Sequence, residues 1–327
     1  MTHPISFRRL ALLAGLAFCA LSPLAALAQA DYPAKPITLI VGYPPGGSTD
    51  LTGRTVAAEL SKKLGVPVVI ENVGGAGGAI GAQKVANAAP DGYTLLVGAN
   101  NEIAISRLVS SAVRYQIRDF TPIGLIASQP MVLVASAKSG VKNLDQFLTM
   151  VKANPGKFSY GSSGVGTALH LAGEMVKDQG GLFMTHIPYR GVAPLANDLL
   201  GNNIEYGVFV LSSGLPHIMS GRVVALGTTE AKRSAVTPDI AALAESPKLK
   251  GLDINVWFAL MGPANMPEPV VAKLKKALAE SLQAPELRKK LEDSGSAIAP
   301  LNVDMPKFLK DETAKYQKIV DFAKIRE

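Results

Sequence analysis

Apolar and polar positions along the chain switch between a strand-like and a helix-like spacing. Residues 37–41 form a short apolar run typical of a buried strand, and Leu51 and Leu60 then mark one face of a helix. Residues 68–70 and 93–97 repeat the strand pattern, with a second helical pattern between them. Such alternation predicts an α/β protein whose parallel sheet is covered by helices on both faces.

The same alternation continues to the end of the chain and is interrupted by two long apolar segments. Residues 123–136, broken only at Gln129-Pro130, predict a strand that leaves the first α/β block, and residues 254–261 predict a strand that returns to it. We therefore predict two lobes joined by two crossings, an arrangement that permits hinge closure over a ligand. The first lobe is residues 31–125 and 255–327, and the second is residues 126–254. Further helices are predicted at 144–153, 168–177, 194–200, 268–282, 285–294 and 306–324, and further strands at 158–160, 186–189, 205–210 and 223–228.

A glycine-rich turn, Tyr43-Pro44-Pro45-Gly46-Gly47-Ser48-Thr49-Asp50, links the first strand to the first helix. Gly46 and Gly47 permit positive φ and close approach of a ligand, while Ser48 or Thr49 can cap the helix. Unpaired N–H groups at a helix start form a site for a carboxylate or phosphate. A tight turn without a ligand explains the same residues equally well. Asp50 would repel an anion, so we expect it to fix the loop.

A second turn of the same kind follows the strand at 158–160 and opens the next helix. Residues 160–167 provide backbone N–H groups and the hydroxyls of Ser162, Ser163 and Thr167. Because ligands of open α/β sheets gather at the carboxyl ends of strands, the two turns predict a site that grips an acid from both sides. His170 lies one turn into this helix, where it either makes a structural hydrogen bond or contacts the ligand.

The first thirty residues have the pattern of a secretory signal. Arg8 and Arg9 precede an apolar run, and Ala28-Gln29-Ala30 fits a small-residue cleavage site, which predicts export to the periplasm with cleavage near Ala30. A twin-arginine signal is the alternative. Removing 30 residues from 327 leaves 297, enough for two domains, and lowers the formal charge from +7 to +5. That charge suits an anionic small molecule, and it is too dispersed for nucleic acid.

The positions of cysteine, histidine and serine in the sequence do not favour a catalytic site or a metal site. The single cysteine, Cys19, lies inside the signal, so thiol chemistry and disulfides are excluded from the mature chain. The histidines have no metal spacing, and we expect no cofactor. A serine hydrolase using Ser162 or Ser163 with His170 or His217 is the alternative. The serines, however, lack the G-x-S-x-G elbow, so we expect a protein that is not an enzyme.

The whole mature chain resembles the periplasmic solute receptors of tripartite tricarboxylate transporters, often called Bug receptors. The resemblance lies in the order and spacing of many short motifs rather than in one of them. The matching segments are residues 36–50, 69–72, 75–81, 90–96, 119–123, 154–157, 161–170, 186–191, 216–218 and 221–222.

This resemblance implies a two-lobed type II periplasmic-binding-protein fold that captures a small carboxylate between the lobes. It implies that the loops Pro45–Asp50 and Ser162–Thr167 supply most carboxylate contacts, and that the closed form presents its ligand to membrane permease subunits. We expect the receptor to be a monomer. A periplasmic sensor that signals to a membrane kinase needs the same cleft and stays open as an alternative.

Two departures from the family pattern bear on the ligand. Val208-Phe209 stands where many members have Phe-Asp, which disfavours an amino acid and favours an amine-free mono- or dicarboxylate, including an aromatic one, against the Phe209 ring. The segment 106–116 also departs from the usual pattern, and this departure bears on the ligand contacts expected near Asn100. The candidate ligand-binding residues are Tyr43, Pro45, Gly46, Gly47, Ser48, Thr49, Asp50, Asn100, Ser162, Ser163, Gly164, Gly166, Thr167, His170, Tyr189 and Phe209.

Overall fold

A computed structural model describes residues 32–234 and 237–325 of the chain. The predicted signal segment and its cleavage site, residues 1–30, lie outside the described residues. None of the helices that the structure describes is long and apolar enough to cross a membrane.

The first part of the sheet contains the strands at both ends of the chain. β1, β2 and β3 are parallel, and β9 runs antiparallel between β3 and β4. The elements from the start of the described chain to β4 are, in chain order, β1 (Ile37–Val41), α1 (Ser48–Leu64), β2 (Val68–Asn72), α2 (Ala79–Ala86), β3 (Thr94–Ala99), a π-helical turn (Asn101–Ile105), α3 (Ser106–Val109) and β4 (Phe120–Ser136).

The second part of the sheet is built between the two crossings of the chain. β5, β6 and β7 are parallel, while β7 and β8 both pair antiparallel with β4. These elements are α4 (Leu144–Ala153), β5 (Ser159–Ser162), α5 (Ala168–Gly180), β6 (Thr185–Pro188), α6 (Val192–Gly201), β7 (Tyr206–Val210), α7 (Leu211–Met219) and β8 (Val223–Thr228). The chain then returns through β9 (Asn255–Pro263), α8 (Glu268–Ser281), α9 (Pro285–Asp293), β10 (Ala297–Ile298) and α10 (Met305–Ala323).

Strand β4 belongs to both parts of the sheet. Residues 120–130 pair with β9, and residues 131–136 pair with β7 and β8, so the order runs β2-β1-β3-β9-β4-β7-β5-β6. The strand continues through Gln129-Pro130, where the run of apolar residues is interrupted. The side chain of Gln129 is buried and donates to Ser296 Oγ at 2.5 Å. Pro130 fits because it lies where β4 changes partners, so its missing N–H costs little.

Thr229 ties the two crossings together. Its hydroxyl donates to the carbonyl of Ile254 at 2.6 Å and accepts from the N–H of Met131 at 3.0 Å. The backbone adds bonds from Thr229 N to Met131 O and from Ile254 N to Thr229 O, at 2.9 and 3.0 Å. Only 1% of Thr229 is exposed, so these bonds are shielded from water. The two crossings are therefore held side by side.

Most predicted elements are present within a few residues of their expected bounds. The helices at 168–177 and 194–200 extend to Gly180 and Gly201, and β10 and the helical turns between 101 and 109 were not predicted. At the start of α1 no side chain caps the helix, so the prediction that Ser48 or Thr49 caps it was wrong. The Asp50 carboxylate accepts from Gly46 N instead.

Phe209 lies in the core of the second part of the sheet. Its side chain is 1% exposed and belongs to a cluster of buried apolar residues. The reason is the register of β7: Phe209 pairs with Val132, so its ring points to the face that α6 covers with Leu195 and Leu199. The ring therefore stabilises the fold.

We expect Phe209→Ala to lower the free energy of unfolding by about 3–5 kcal/mol, because truncation leaves a cavity in a close-packed core. Phe183→Ala is the matched control, since Phe183 is 69% exposed and its truncation should cost less than about 1 kcal/mol. Urea unfolding of both variants measures the difference. Equal stabilities would show that Phe209 does not support the core.

Candidate functional site

A cavity of about 980 Å³ opens where the loops that follow β1, β2, β3, β5 and β6 meet. Parallel strands bring their carboxyl ends to one edge, and this arrangement occurs in each part of the sheet. The loops therefore converge from both parts on a single space. It is lined by residues 42–44, 75–80, 83, 106, 109, 110, 112–115, 163–167 and 188–191.

A buried hydrogen-bonded cluster lies beneath the cavity around the hydroxyl of Tyr43. This hydroxyl is 2.8 Å from Gly77 O and 2.7 Å from Glu102 Oε2, and it accepts from Asn101 Nδ2 at 3.0 Å. Ala99 N donates to Glu102 Oε1 at 2.8 Å. The cluster joins the loops after β1, β2 and β3.

Glu102 is fully buried, and burial raises its pKa to about 7 even though Ala99 N and Tyr43 bond to it. The distances fit the protonated carboxyl. In that form Glu102 donates to the Tyr43 oxygen, and the phenol proton is free for the carbonyl of Gly77. Ionised Glu102 would take that phenol proton and leave two oxygens facing each other at the Gly77 contact.

Gly78 is required where the loop after β2 crosses this cluster. Its φ is +94°, and a Cβ there would lie 2.8 Å from Glu102 Oε2 and 3.0 Å from the Tyr43 hydroxyl. Any other residue would be strained and would displace the cluster. The glycine therefore lets the backbone form the cavity wall directly above Glu102.

Asn101 joins the two parts of the sheet at the cavity. Its Oδ1 accepts from Ala168 N, the first residue of α5, at 2.7 Å, while its Nδ2 donates to Tyr43. Only 5% of Asn101 is exposed. Gly77, in the loop after β2, also packs against the loop before α5, because a Cβ at Gly77 would lie 4.0 Å from Thr167 Cγ2. The loops of the two parts are thus in contact on one side of the cavity.

The loop before α1 is fixed by Asp50, as the sequence predicted. The Asp50 carboxylate accepts from Gly46 N at 2.9 Å, Asn72 Nδ2 at 2.9 Å and Arg54 Nε at 3.0 Å. Burial alone would raise the pKa of Asp50, but the bonds from Arg54, Gly46 and Asn72 outweigh it and lower the pKa. The carboxylate is therefore ionised, its charge is balanced by Arg54, and it supports the loop rather than a ligand.

The loop before α5 is fixed by two histidines. His170 Nδ1 accepts from Gly166 N at 3.0 Å, and His186 Nε2 is 2.7 Å from Ser162 Oγ. The two imidazole rings stack at 3.7 Å. Burial lowers the pKa of His170 to about 4 and that of His186 to about 3, so both are neutral near pH 7. His170 therefore makes the structural bond that was one of its two predicted roles.

Ser162 and His186 resemble part of a catalytic pair, but their positions do not suit catalysis. Ser162 is fully buried and lies outside the cavity lining. Its hydroxyl also bonds to Gly164, donating to the carbonyl at 3.0 Å and accepting from the N–H at 3.2 Å. A nucleophile must reach its substrate, so this pair shapes the loop instead.

Six of the sixteen candidate residues line the cavity, namely Tyr43, Ser163, Gly164, Gly166, Thr167 and Tyr189. The other ten lie outside its lining: Pro45 and Gly46 are exposed, Gly47 to Asp50 form the turn and start of α1, and Asn100, Ser162, His170 and Phe209 are buried. The loop after β1 thus lines the cavity with Gly42, Tyr43 and Pro44 and not with the predicted residues 45–50.

Several lining residues were missed by the sequence analysis. Gly75 to Ile80 take the place expected for Pro45 to Asp50, and Arg114 and Arg190 enter from separate loops. The run Gly74-Gly75-Ala76-Gly77-Gly78 was the available signal, since it also follows a strand and precedes a helix. Among the described residues, no group of three or more His, Cys, Asp or Glu is placed to hold a metal ion.

Known proteins resemble this chain along most of its length. The sequence model of the tripartite tricarboxylate transporter family receptor matches residues 52–325. A UPF0065 protein of Bordetella pertussis is 36% identical over 311 residues, covering 94% of this chain and 96% of that protein.

Two solved structures share the fold. Rpa4515 of R. palustris with adipate is 30% identical with a TM-score of 0.85, covering 90% of this chain and 99% of that one. MatC (Rpa3494) from Rhodopseudomonas palustris with bound malate is 29% identical with a TM-score of 0.81, covering 88% of this chain and 100% of that one. These structures have the α/β architecture of periplasmic binding proteins.

We expect Glu102→Gln to remove one source of pH-dependent stability. Unfolded Glu102 ionises near its ordinary pKa of 4.5, whereas the folded group keeps its proton to about 7. Its stabilisation is therefore fully present below pH 4.5 and is lost as the pH rises through 7. Glutamine keeps the donor to Tyr43 and the acceptor for Ala99. The free energy of unfolding of the variant, relative to that of wild type, should therefore rise by about 2–3 kcal/mol between pH 4.5 and 8.

Denaturant unfolding across that pH range measures this difference. Glu280→Gln, at an exposed position on α8, is the control and should follow the wild-type curve. A Glu102→Gln curve parallel to wild type would mean that the buried carboxyl titrates normally.

Proposed function

The chain belongs to the tripartite tricarboxylate transporter receptor family, and we propose that it captures a small organic carboxylate in the cavity and delivers it to the membrane subunits of such a transporter. Receptors of this family are periplasmic and are not enzymes. Residues 1–30 would serve as the export signal, with cleavage near Ala30. The two parts of the sheet would be the lobes, residues 31–125 with 255–327 and residues 126–254, and the receptor would act as a monomer.

One observation carries this proposal: the loop 163–167 lines a cavity whose described lining has no carboxylate, and it contains hydrogen-bond donors without partners. The backbone N–H groups of Ser163 and Val165 have no hydrogen-bond partner among the described residues. The Ser163 hydroxyl is likewise unpaired within that part of the chain, and the Ser110 hydroxyl keeps its proton while accepting from Ala112 N at 3.4 Å. Donors without acceptors favour an oxyanion ligand.

The neighbouring N–H groups support this reading because they are already occupied. Gly164 N, Gly166 N and Ala168 N donate to Ser162 Oγ, His170 Nδ1 and Asn101 Oδ1. These bonds fix the loop while leaving the N–H groups of Ser163 and Val165 for a ligand. Prearranged donors lower the entropic cost of binding.

The ligands of the two solved relatives agree with a carboxylate. Adipate accompanies Rpa4515 and malate accompanies MatC, and both are acids without an amine. We propose the same class here, with Tyr43, Ser163, Gly164, Gly166, Thr167 and Tyr189 as the ligand contacts. The apolar side chains of Ile80, Val109 and Val113 would cover the hydrocarbon part of the acid.

Closure over the ligand would depend on the contact that Asn101 makes with α5. A ligand stabilises the closed form only through contacts that the open form lacks. The bonds from Ala168 N to Asn101 and from Asn101 to Tyr43 join one part of the sheet to the other, so they add to that difference. Thr229, between the two crossings, would lie at the hinge.

The direct test combines binding with uptake. Isothermal titration calorimetry of the mature protein against mono- and dicarboxylates should find an acid with a dissociation constant of roughly 1 μM or lower. A value of 1 μM corresponds to a binding free energy of about −8 kcal/mol. Deletion of the gene should abolish uptake of that acid, and a plasmid copy should restore it. Tight binding of neutral sugars or amino acids, with no response to any acid, would overturn the proposal. Unchanged uptake in the deletion strain would point instead to a sensor.

We expect Asn101→Ala to weaken binding of the acid about five- to tenfold, since one shielded hydrogen bond is worth about 1–1.5 kcal/mol. Asn203→Ala is the control, because Asn203 is exposed and remote from the cavity lining. Calorimetry gives the affinities, and thermal unfolding verifies that both variants fold. Wild-type affinity in a folded Asn101→Ala protein would show that this contact does not contribute to the bound state.

A further inference from the structure

Two arginines line the cavity, one from each part of the sheet. Arg114 lies between α3 and β4, and Arg190 lies just after β6. Both side chains are exposed, and neither guanidinium has an ion-pair or hydrogen-bond partner among the described residues. An unpaired arginine at the rim of a ligand cavity can bind a carboxylate without first breaking an existing bond.

No negative side chain in the described cavity lining opposes them. The lining contains two arginines and no Asp or Glu, so it has a formal charge of +2. Two carboxyl groups lie just outside the lining. Glu102 contacts the Tyr43 hydroxyl at 2.7 Å, and the further bond of that hydroxyl to Gly77 fits a protonated, neutral Glu102. Asp198 accepts from the Tyr189 hydroxyl at 2.8 Å and does not line the cavity. Asp50 is paired with Arg54 on the other side of the first loop. The two guanidinium charges are therefore not cancelled within the cavity.

The positions of the arginines differ from those of the loop donors. Ser163 and Val165 are half-buried, whereas both arginines are exposed. The cavity thus runs from a cationic rim to an interior with neutral donors. A ligand with a single carboxylate could use the N–H groups of Ser163 and Val165 and would leave the rim charges unpaired.

We propose that Arg114 and Arg190 are specificity-determining residues that select a dianion, an acid with two carboxylates and no amine. This inference rests on the proposed function, since it assigns a second carboxylate to the ligand of the same cavity. One carboxylate lies against the loop 163–167, and the two guanidinium groups from opposite sides hold the other. An amino acid is disfavoured because its ammonium group would meet two positive charges and no described acidic partner in the lining.

Solvent exposure limits the size of the effect. Exposed ion pairs are worth about 0.2–1 kcal/mol each, so loss of one arginine should weaken dianion binding by up to about fivefold. Charges at a cavity rim also steer the ligand, so the association rate should fall as salt increases. Both effects should be larger for a dianion than for a monoanion of the same length.

The test compares adipic acid with hexanoic acid, which have equal chain length and differ in the second carboxylate. Calorimetry at about 20 and about 300 mM salt is applied to wild type, Arg114→Gln, Arg190→Gln and the double variant. We expect wild type to prefer adipic acid at least about tenfold, each single variant to lose about threefold to fivefold for adipic acid alone, and the double variant to lose most of the preference.

Two sets of controls separate charge from structure. Arg118→Gln removes an exposed arginine outside the cavity lining and should leave both affinities unchanged. Arg114→Lys and Arg190→Lys retain the positive charge and should retain most of the preference. A purely structural role would be damaged by lysine and glutamine alike.

The outcomes distinguish the two proposals. If the double variant keeps the wild-type preference, or if wild type binds both acids equally, the arginines do not select a dianion, while carboxylate capture still stands. If wild type binds neither these two acids nor the dicarboxylates of four to eight carbons, and binds a neutral or amine ligand instead, both proposals are overturned.

Discussion

One strand, β4, is shared by both parts of the sheet, and the ligand cavity depends on that constraint. Its first eleven residues pair with β9 and its last six with β7 and β8, so neither part can form fully without it. Each part then adds parallel strands whose carboxyl ends meet at the same edge. The second crossing is bound to the first through Thr229, and we propose that the two parts rotate about these crossings when a ligand binds.

The cavity wall is supported by a buried polar cluster rather than by apolar packing. Tyr43, Asn101 and Glu102 connect three loops, and Asn101 continues the connection to α5. Hydrogen bonds shielded from water hold precise positions, but each unpaired member would be costly. A protonated Glu102 satisfies every contact of the Tyr43 hydroxyl, which explains why a carboxyl can be tolerated beneath a site proposed to bind anions. Glu102 itself does not line the cavity, and the guanidinium groups of Arg114 and Arg190 are the only charged side chains of the described lining.

The sequence was sufficient for the α/β fold and for one of the loops that line the cavity. Apolar periodicity predicted the strands and helices because burial on one or two faces is a local pattern, and the turn at 160–167 was recognised by its glycines and hydroxyls. The sequence could not show which of two glycine-rich turns in the first part of the sheet lines the cavity, since both turns follow strands and precede helices. The deciding contact, Gly78 against Glu102, joins residues far apart in the chain. Phe209 was misplaced for a related reason: β7 is apolar on both faces, so only the paired register with Val132 shows which face its ring takes.

We propose that this receptor holds an amine-free acid with two carboxylates between its loops. The most direct measurement is mass spectrometry of the small molecule released by denaturing the receptor after purification from the periplasm of its native host. We predict that the released compound is a dicarboxylic acid present in about equimolar amount. Recovery of an amino acid or a neutral sugar at that stoichiometry would contradict the account.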